Sequence, residues 1–178
     1  MAVLRAAYAL LAEAGLAGFT IEAVAARSGV ARTTIYRWWS SKGALAMEGF
    51  LVATSADLHV PPSDSVARDI STLLHAFARL QDGPAGRIVR GIFAEGQSDP
   101  ETIEAFKANY VNPRRAEVRA LLERGMASGE LRADLDIELV QYAVFGSLYL
   151  RMLLNEGLDT AWVDRLATAA LRGCVAAG

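Results

Sequence analysis

Between Thr20 and Lys42 the chain runs TIEAVAARSGVARTTIYRWWSSK. Ile21, Val24, Ala25 and Ser28 fall on one face of a period-3.6 helix, so a first short helix is expected over about 20–28. Thr20 precedes it as a side-chain cap that can also reach a phosphate. Gly29 then supplies a turn that a residue with a Cβ would resist. A second helix over about 31–39 turns Val30, Ile35 and Trp39 back toward the first, with Trp39 expected in the core. It leaves Arg32, Thr33, Tyr36 and Arg37 outward, with Trp38 at the edge of that face. Residues 32 and 36, and 33 and 37, are i,i+4 neighbours and share a surface. Two guanidiniums, a hydroxyl and a phenol on one exposed helix face suit base edges and phosphates. Thr34 either adds such a contact or buttresses the turn, and Lys42 opens the next helix where a cation can meet a phosphate. The pattern is that of a helix-turn-helix, which places a short helix in the DNA major groove. A plain helical hairpin inside a bundle is the alternative, and it leaves the Arg/Thr/Tyr/Arg face unexplained.

The order Gly29-Val30, Thr34-Ile35-Tyr36, aromatic Trp39 and then Lys42 resembles the tetracycline-repressor (TetR) family of bacterial regulators. The specific part of the resemblance covers about residues 3–50, and over 51–178 it extends to the family's general helical plan. It implies a homodimeric transcription regulator: a small N-terminal domain on operator DNA, and a larger C-terminal domain that dimerises and often binds a small effector. It also implies that Tyr36 and Lys42 position the phosphate backbone. Of the basic arm that precedes the first helix in most relatives, this sequence has Arg5 alone, and Ala31 stands where a capping Ser is usual.

The charge distribution agrees with a reading head at the N-terminal end. The chain of 178 residues has net charge −2, but residues 1–50 hold five cations (Arg5, Arg27, Arg32, Arg37, Lys42) against three acids and are net +2. The remainder is net −4, so the basic charge gathers where DNA contact is expected. Hydrophobic residues make up 53% of the chain, enough for a real core and too many for a disordered one. One cysteine, Cys174, rules out an internal disulfide and fits a reducing, cytoplasmic setting. No signal peptide is apparent. The longest apolar run, Leu139–Leu154, is interrupted by Gln141, Ser147 and Arg151, so no membrane association is expected.

Nothing along the chain has the two-residue alternation of a strand, and about nine helices are expected in an all-α fold. Helix 1 spans about 2–15; helix 4 runs from about Ser41 to Asp57, before Pro61-Pro62; helix 5 starts at Ser63 or Asp64 and continues to about Gln81; helix 6 covers about 84–96. Ser98-Asp99-Pro100-Glu101 has the composition of a capped helix start, with Ser98 as cap and Glu101 reciprocating. Asn112-Pro113 should kink or break that helix, which ends at Gly129. The last two predicted helices cover about 136–156 and 160–176. The former is apolar nearly all round, which requires burial on several sides. The two together could bury a two-fold interface between subunits, or could simply complete the monomer core. The expected division is residues 1–45 as helix-turn-helix DNA-binding domain and 46–178 as helical effector-binding and dimerisation domain.

His59 and His75 are the only histidines, and no metal set, catalytic Cys/His or Ser/His arrangement, or cofactor motif is present, so neither an enzyme nor a cofactor is expected. A small apolar effector could sit among aromatic and polar residues of the second domain; Phe50, Thr54, His75, Phe93, Phe106, Tyr110, Tyr142 and Phe145 are the candidates, and aromatics at helical spacing are equally explained as core. The expectation is a sequence-specific DNA-binding regulator, a repressor released from a palindromic operator by that effector. A regulator without a small ligand, controlled by a protein partner or by abundance, and a ligand-binding dimer without DNA binding remain open.

Overall fold

The computed structural model describes residues 1–55 and 59–174. Its elements are α1 (Ala2–Ala14), α2 (Ile21–Ser28), α3 (Arg32–Trp38), α4 (Lys42–Thr54), α5 (Val66–Asp82), α6 (Pro84–Gly96), α7 (Pro100–Phe106), a π-helical segment (Lys107–Val111), α8 (Asn112–Ser128), α9 (Ile137–Leu153) and α10 (Thr160–Cys174). The run from α7 through the π segment to α8 is uninterrupted, so the described residues form nine helical rods and no strand. None of these helices is long and apolar enough to cross a membrane.

Two compact units emerge, and they do not follow chain order. One contains residues 1–56 and 83–110, the other 57–82 and 111–178. The division expected at 45/46 is one of function along the chain; by packing, α6 lies against α1 and α7 against α6 within the first compact unit. In the first unit α1 is the hub, lying against α2, α4 and α6, while α2 packs on α3. The α1–α4 contact is close at Gly49: a Cβ there would sit 3.0 Å from the Ala7 Cβ and 3.3 Å from the Leu4 carbonyl oxygen. Leu11, Phe19, Val24, Ile35 and Leu45 are the large side chains fully enclosed in this unit near its N-terminal helices. Further along, Phe50, Phe93, Phe106 and Tyr110 form one aromatic cluster, with Phe106 stacked on Tyr110 at 5.1 Å and Phe50 edge-on to Tyr110 at 5.1 Å.

In the second unit α5 packs on α8, α9 and α10 around Val66, Leu122, Leu131, Ile137 and Cys174. Burial pushes the Cys174 thiol up, as expected for an inert core cysteine. The start of α5 is set from a distance. Glu130, just after α8, accepts the N–H groups of Val66 and Ala67 at 2.7 and 2.9 Å and the Ser65 hydroxyl at 2.8 Å. Asp69, buried in the first turn, accepts the Ser63 N–H and pairs with Arg124 of α8. Glu130 and the Ser65 hydroxyl, which accepts the Arg68 N–H at 3.3 Å, therefore occupy the orphan donors of this end, while Asp69 ties down the segment before it. This moves the helix start from the expected Ser63 or Asp64 to Val66, because residues 63–65 are used in the cap.

Other boundaries shift for local reasons. Asp99, not Ser98, caps α7, accepting the Glu101 N–H at 3.1 Å and the Thr102 hydroxyl at 2.6 Å, while the Ser98 hydroxyl turns back to the Glu95 carbonyl. Of the kink or break expected at Pro113, no break appears: the helix rewinds and runs on. Pro113 cannot donate to the carbonyl four residues back, and Lys107–Val111 take π geometry, with the Asn109 amide donating to the Ala105 carbonyl at 2.8 Å. α9 ends at Leu153, short of the expected Glu156, because Asn155 and Gly157 adopt positive φ and Arg151 donates to the carbonyls of Glu156 and Gly157. The expected ends of helix 4 at Asp57 and of the last helix at Ala176 lie outside the described residues.

The cap of α5 gives a pH signature. Glu130 is held below its ordinary value of 4.5, first by the Ala67 N–H, against the opposing effect of burial, and then by Val66, Ser65 and Arg124. For Asp69 burial is the largest influence and raises it, yet Ser63 and Arg124 together outweigh burial and hold it below 3.8. A carboxylate with a depressed folded-state pKa contributes stability that is complete above its unfolded pKa and is lost as pH falls through the folded one. Melting temperature should therefore be flat above about pH 5 and fall steeply below about pH 4. Glu130→Ala should lower stability at neutral pH by about 1–3 kcal/mol and flatten part of that acid slope. Thermal denaturation of both proteins from pH 3 to pH 7 checks this.

Candidate nucleic-acid interface

The reading head is built from one well-capped helix and one short uncapped one. Thr20 Oγ1 accepts the Ala23 N–H at 3.1 Å and starts α2. Gly29 ends it at φ 71°, in the left-handed region, with its N–H on the Ala25 carbonyl. Ser28, half-buried rather than fully inward, uses its hydroxyl to accept the Val30 N–H at 3.3 Å. Ala31 begins α3 with no side-chain cap. A seven-residue helix of this kind has little stability of its own, and Ile35, with no exposed surface, anchors it.

What α3 turns outward is the set read from the sequence. Arg32, Thr33, Tyr36, Arg37 and Trp38 are all exposed, Trp38 at 72% and Tyr36 at 53%. Thr20 and Lys42 are exposed too, and Thr34 is half-buried at the base of the face. Ser41 Oγ accepts the Ala44 N–H at 3.1 Å, which fixes Lys42 as the first residue of α4. Neither Arg37 nor Lys42 has an ion-pair partner among the described residues, so both cations are available to a phosphate. Trp39 departs from its expected core position: it is half-buried, and its Nε1 donates to Glu48 Oε2 on α4 at 2.6 Å. That bond ties the end of the recognition helix to the helix that follows.

The sequence reading passed over the acids beside this face. Glu22 on α2 pairs with Arg32 at 2.8 Å, and Glu13 holds Arg27 through two bonds of 2.8 and 2.7 Å. The Glu22 carboxyl lies below the usual carboxylate range, first through its own backbone N–H and then through Arg32. The spacing of ten residues across a turn carries no local pattern, so only the folded head reveals the pair.

The candidate effector residues separate into two groups. In the first unit, Phe50, Phe93, Phe106 and Tyr110 pack on one another as described, and Thr54 is buried with its hydroxyl donating to the Phe50 carbonyl at 2.9 Å. In the second, Phe145 meets Phe77 at 5.6 Å and borders an apolar cavity of about 20 Å3, room for roughly one water. His75 Nε2 lies 2.8 Å from Asp164 Oδ1 on α10. Tyr142 points outward, 59% exposed, with the Arg115 guanidinium 4.5 Å above its ring. Of the eight, Phe50 borders a cleft of about 570 Å3 in the first unit, large enough for an organic molecule.

Comparison with known proteins agrees with this geometry. Residues 3–48 match the family described as bacterial regulatory proteins, tetR family, and residues 60–170 match the tetracyclin repressor-like C-terminal domain. An uncharacterised HTH-type transcriptional regulator of Bacillus subtilis, YdeS, is 35% identical over 97% of this chain and 87% of its own length. The DNA-binding transcriptional repressor TetR of Mycobacteroides abscessus is 26% identical over 93% of this chain and 87% of its own. A crystal structure of a TetR-family transcription regulator superposes with a TM-score of 0.84 at 35% identity, covering 96% of this chain and 95% of that one. With a helix-turn-helix whose second helix exposes arginine, threonine and tyrosine, and with both family domains matched in order, the chain belongs to the TetR family of DNA-binding transcriptional regulators.

Proposed function

We propose that this protein is a homodimeric repressor that binds a two-fold symmetric operator and releases it when a small effector is bound. The observation that carries the reading is the outward face of α3, where Arg32, Thr33, Tyr36 and Arg37 stand together with Lys42 close in sequence. Arg37 is assigned to a base edge and Arg32 to a base or phosphate. Thr33 and Thr34 add hydroxyl contacts, and Thr20, Tyr36, Trp38 and Lys42 position the backbone. Residues 1–45 are the operator-binding part in this reading, and 46–178 serve dimerisation and effector response.

Dimerisation is supported by α9. Its exposed side carries Leu139, Tyr142, Leu150 and Leu153, between 41% and 65% exposed, with Ala143 and Gly146 between them at helical spacing. A continuous apolar stripe of this kind on one helix is unusual for a monomer surface, and paired reading heads require two-fold symmetry. Phe145 and Leu148 do not belong to that stripe. Leu148 has no exposed surface and Phe145 packs on Phe77, so both are core positions of the second unit. Effector release follows from linkage: a ligand that prefers a dimer with wrongly spaced heads lowers operator affinity by its own differential affinity. The small cavity beside Phe145 favours one alternative, in which no ligand enters the second unit and a protein partner or abundance sets the response.

Titration of the purified protein against DNA flanking its own gene, over a range of salt, tests the reading head. Arg37→Ala should weaken operator binding by about 1–3 kcal/mol with little effect on unrelated DNA. Lys42→Ala should weaken all DNA alike and reduce the salt slope by about one. Glu22→Gln frees Arg32 and removes a negative charge from the face, so affinity for unrelated DNA should rise. Operator affinity unchanged in both Arg37→Ala and Lys42→Ala would defeat the assignment.

Sedimentation tests the assembly. The protein should be a dimer at micromolar concentration, and Leu150→Glu should give a folded monomer, since a buried unpaired charge costs several kcal/mol. A wild-type monomer, or an undisturbed Leu150→Glu dimer, would remove α9 from the interface.

A further inference from the structure

Within the first unit, α4 and α6 both rest on α1, and between α4 and the α6–α7 pair lies a cleft of about 570 Å3. Its walls are apolar, with Leu11, Met47, Phe50, Leu51, Ile88 and Ile92 among the lining residues. Polar groups gather at the same cleft with a strong bias of sign: Glu48, Glu95, Asp99 and Glu101 against a single cation, Lys42. Asp99 is engaged in capping α7, and Glu48 accepts the Trp39 indole. The side-chain carboxylates of Glu95 and Glu101 have no hydrogen-bond or ion-pair partner among the described residues. A cavity of this size, apolar with a few charged groups, suits a drug-sized molecule. The charges select which kind. An anion would face an excess of carboxylates, whereas a cation finds Glu95, half-buried, and Glu101, exposed at the mouth, both free to pair with it.

We propose that this cleft binds an amphiphilic organic cation, an apolar body carrying a protonated amine or quaternary head, and that its occupancy weakens operator binding. The second half rests on the repressor reading above; the first does not. The coupling has a concrete route. Glu48 borders the cleft and also holds Trp39, the residue that ends the recognition helix, at 2.6 Å. A cation paired with Glu48 competes with that indole N–H. Ser41, Lys42 and Gly43 also border the cleft, so the occupant meets the turn that presents Lys42 to DNA.

Tetraphenylphosphonium and tetraphenylborate are matched in size and shape and opposite in charge, and calorimetric titration of the full chain with each tests the site. The phosphonium should bind one per chain and at least about tenfold more tightly than the borate. The double variant Glu95→Gln/Glu101→Gln should weaken it by about fivefold with an unchanged melting temperature. Ile92→Trp should block binding by filling the cleft. Operator DNA should weaken phosphonium binding by the same factor as phosphonium weakens operator binding, and Glu48→Gln should shrink that factor. Equal affinity for both ions, or binding indifferent to the double variant, overturns the site. Site binding that leaves operator affinity unchanged overturns the coupling. A chain that takes the phosphonium but binds no DNA overturns the repressor reading alone, and one that binds DNA but no phosphonium overturns the cleft alone.

Discussion

The close approach of α4 to α1 is the constraint on which the first unit depends. At Gly49 the two helices leave room for a hydrogen and little more, since a methyl would press on Ala7 and on the Leu4 carbonyl. Held there, α4 buries Leu45, Ala46 and Phe50 and presents its first turn, with Lys42, beside the recognition helix. The Trp39–Glu48 bond then joins α3 to the same helix. One helix thus fixes an exposed lysine, braces the short α3, and forms a wall of the cleft against α6 and α7. A seven-residue helix without a side-chain cap stays formed because Ile35 and this brace hold it, not because its sequence favours it.

Charge works locally in this protein. A net −2 chain offers DNA no general attraction, yet Arg37 and Lys42 stand on an exposed surface without ion-pair partners among the described residues. Arg32 is different, since Glu22 engages it in the free protein. An exposed pair of this kind is worth little in stability. Its consequence is for the proposed recognition, in which Arg32 would reach a base or phosphate only by exchanging one partner for another. That exchange costs least at a site offering a good acceptor, which favours discrimination over indiscriminate affinity.

Local features were legible in the sequence and distant ones were not. The Thr20 cap, the Gly29 turn and the outward set of α3 follow from spacing within twenty residues, and the structure places them as that spacing requires. The helical plan is likewise written in apolar periodicity. By contrast, α5 starts at Val66 because Glu130, more than sixty residues later, takes its N–H groups. No local pattern encodes that. Pro113 announced a disturbance but not its form, since π winding and a break both accommodate the absence of its N–H. Aromatic side chains were the least legible. Phe145 and Tyr142 lie three residues apart on α9, yet one packs on Phe77 and the other is exposed beneath Arg115. Composition marked both as cavity candidates, and only tertiary packing separates them.

Methylation interference at guanine N7 tests the central claim most directly, because N7 is presented in the major groove and a methyl there blocks an entering helix. On operator DNA, two clusters of interfering guanines should appear, related by two-fold symmetry and centred one helical turn, about 10–10.5 base pairs, or a multiple of it apart. The clusters should vanish with Arg37→Ala while residual binding persists. Bound operator DNA that shows no interference at any guanine N7, or a single unpaired cluster, would contradict a dimer reading successive major grooves through α3.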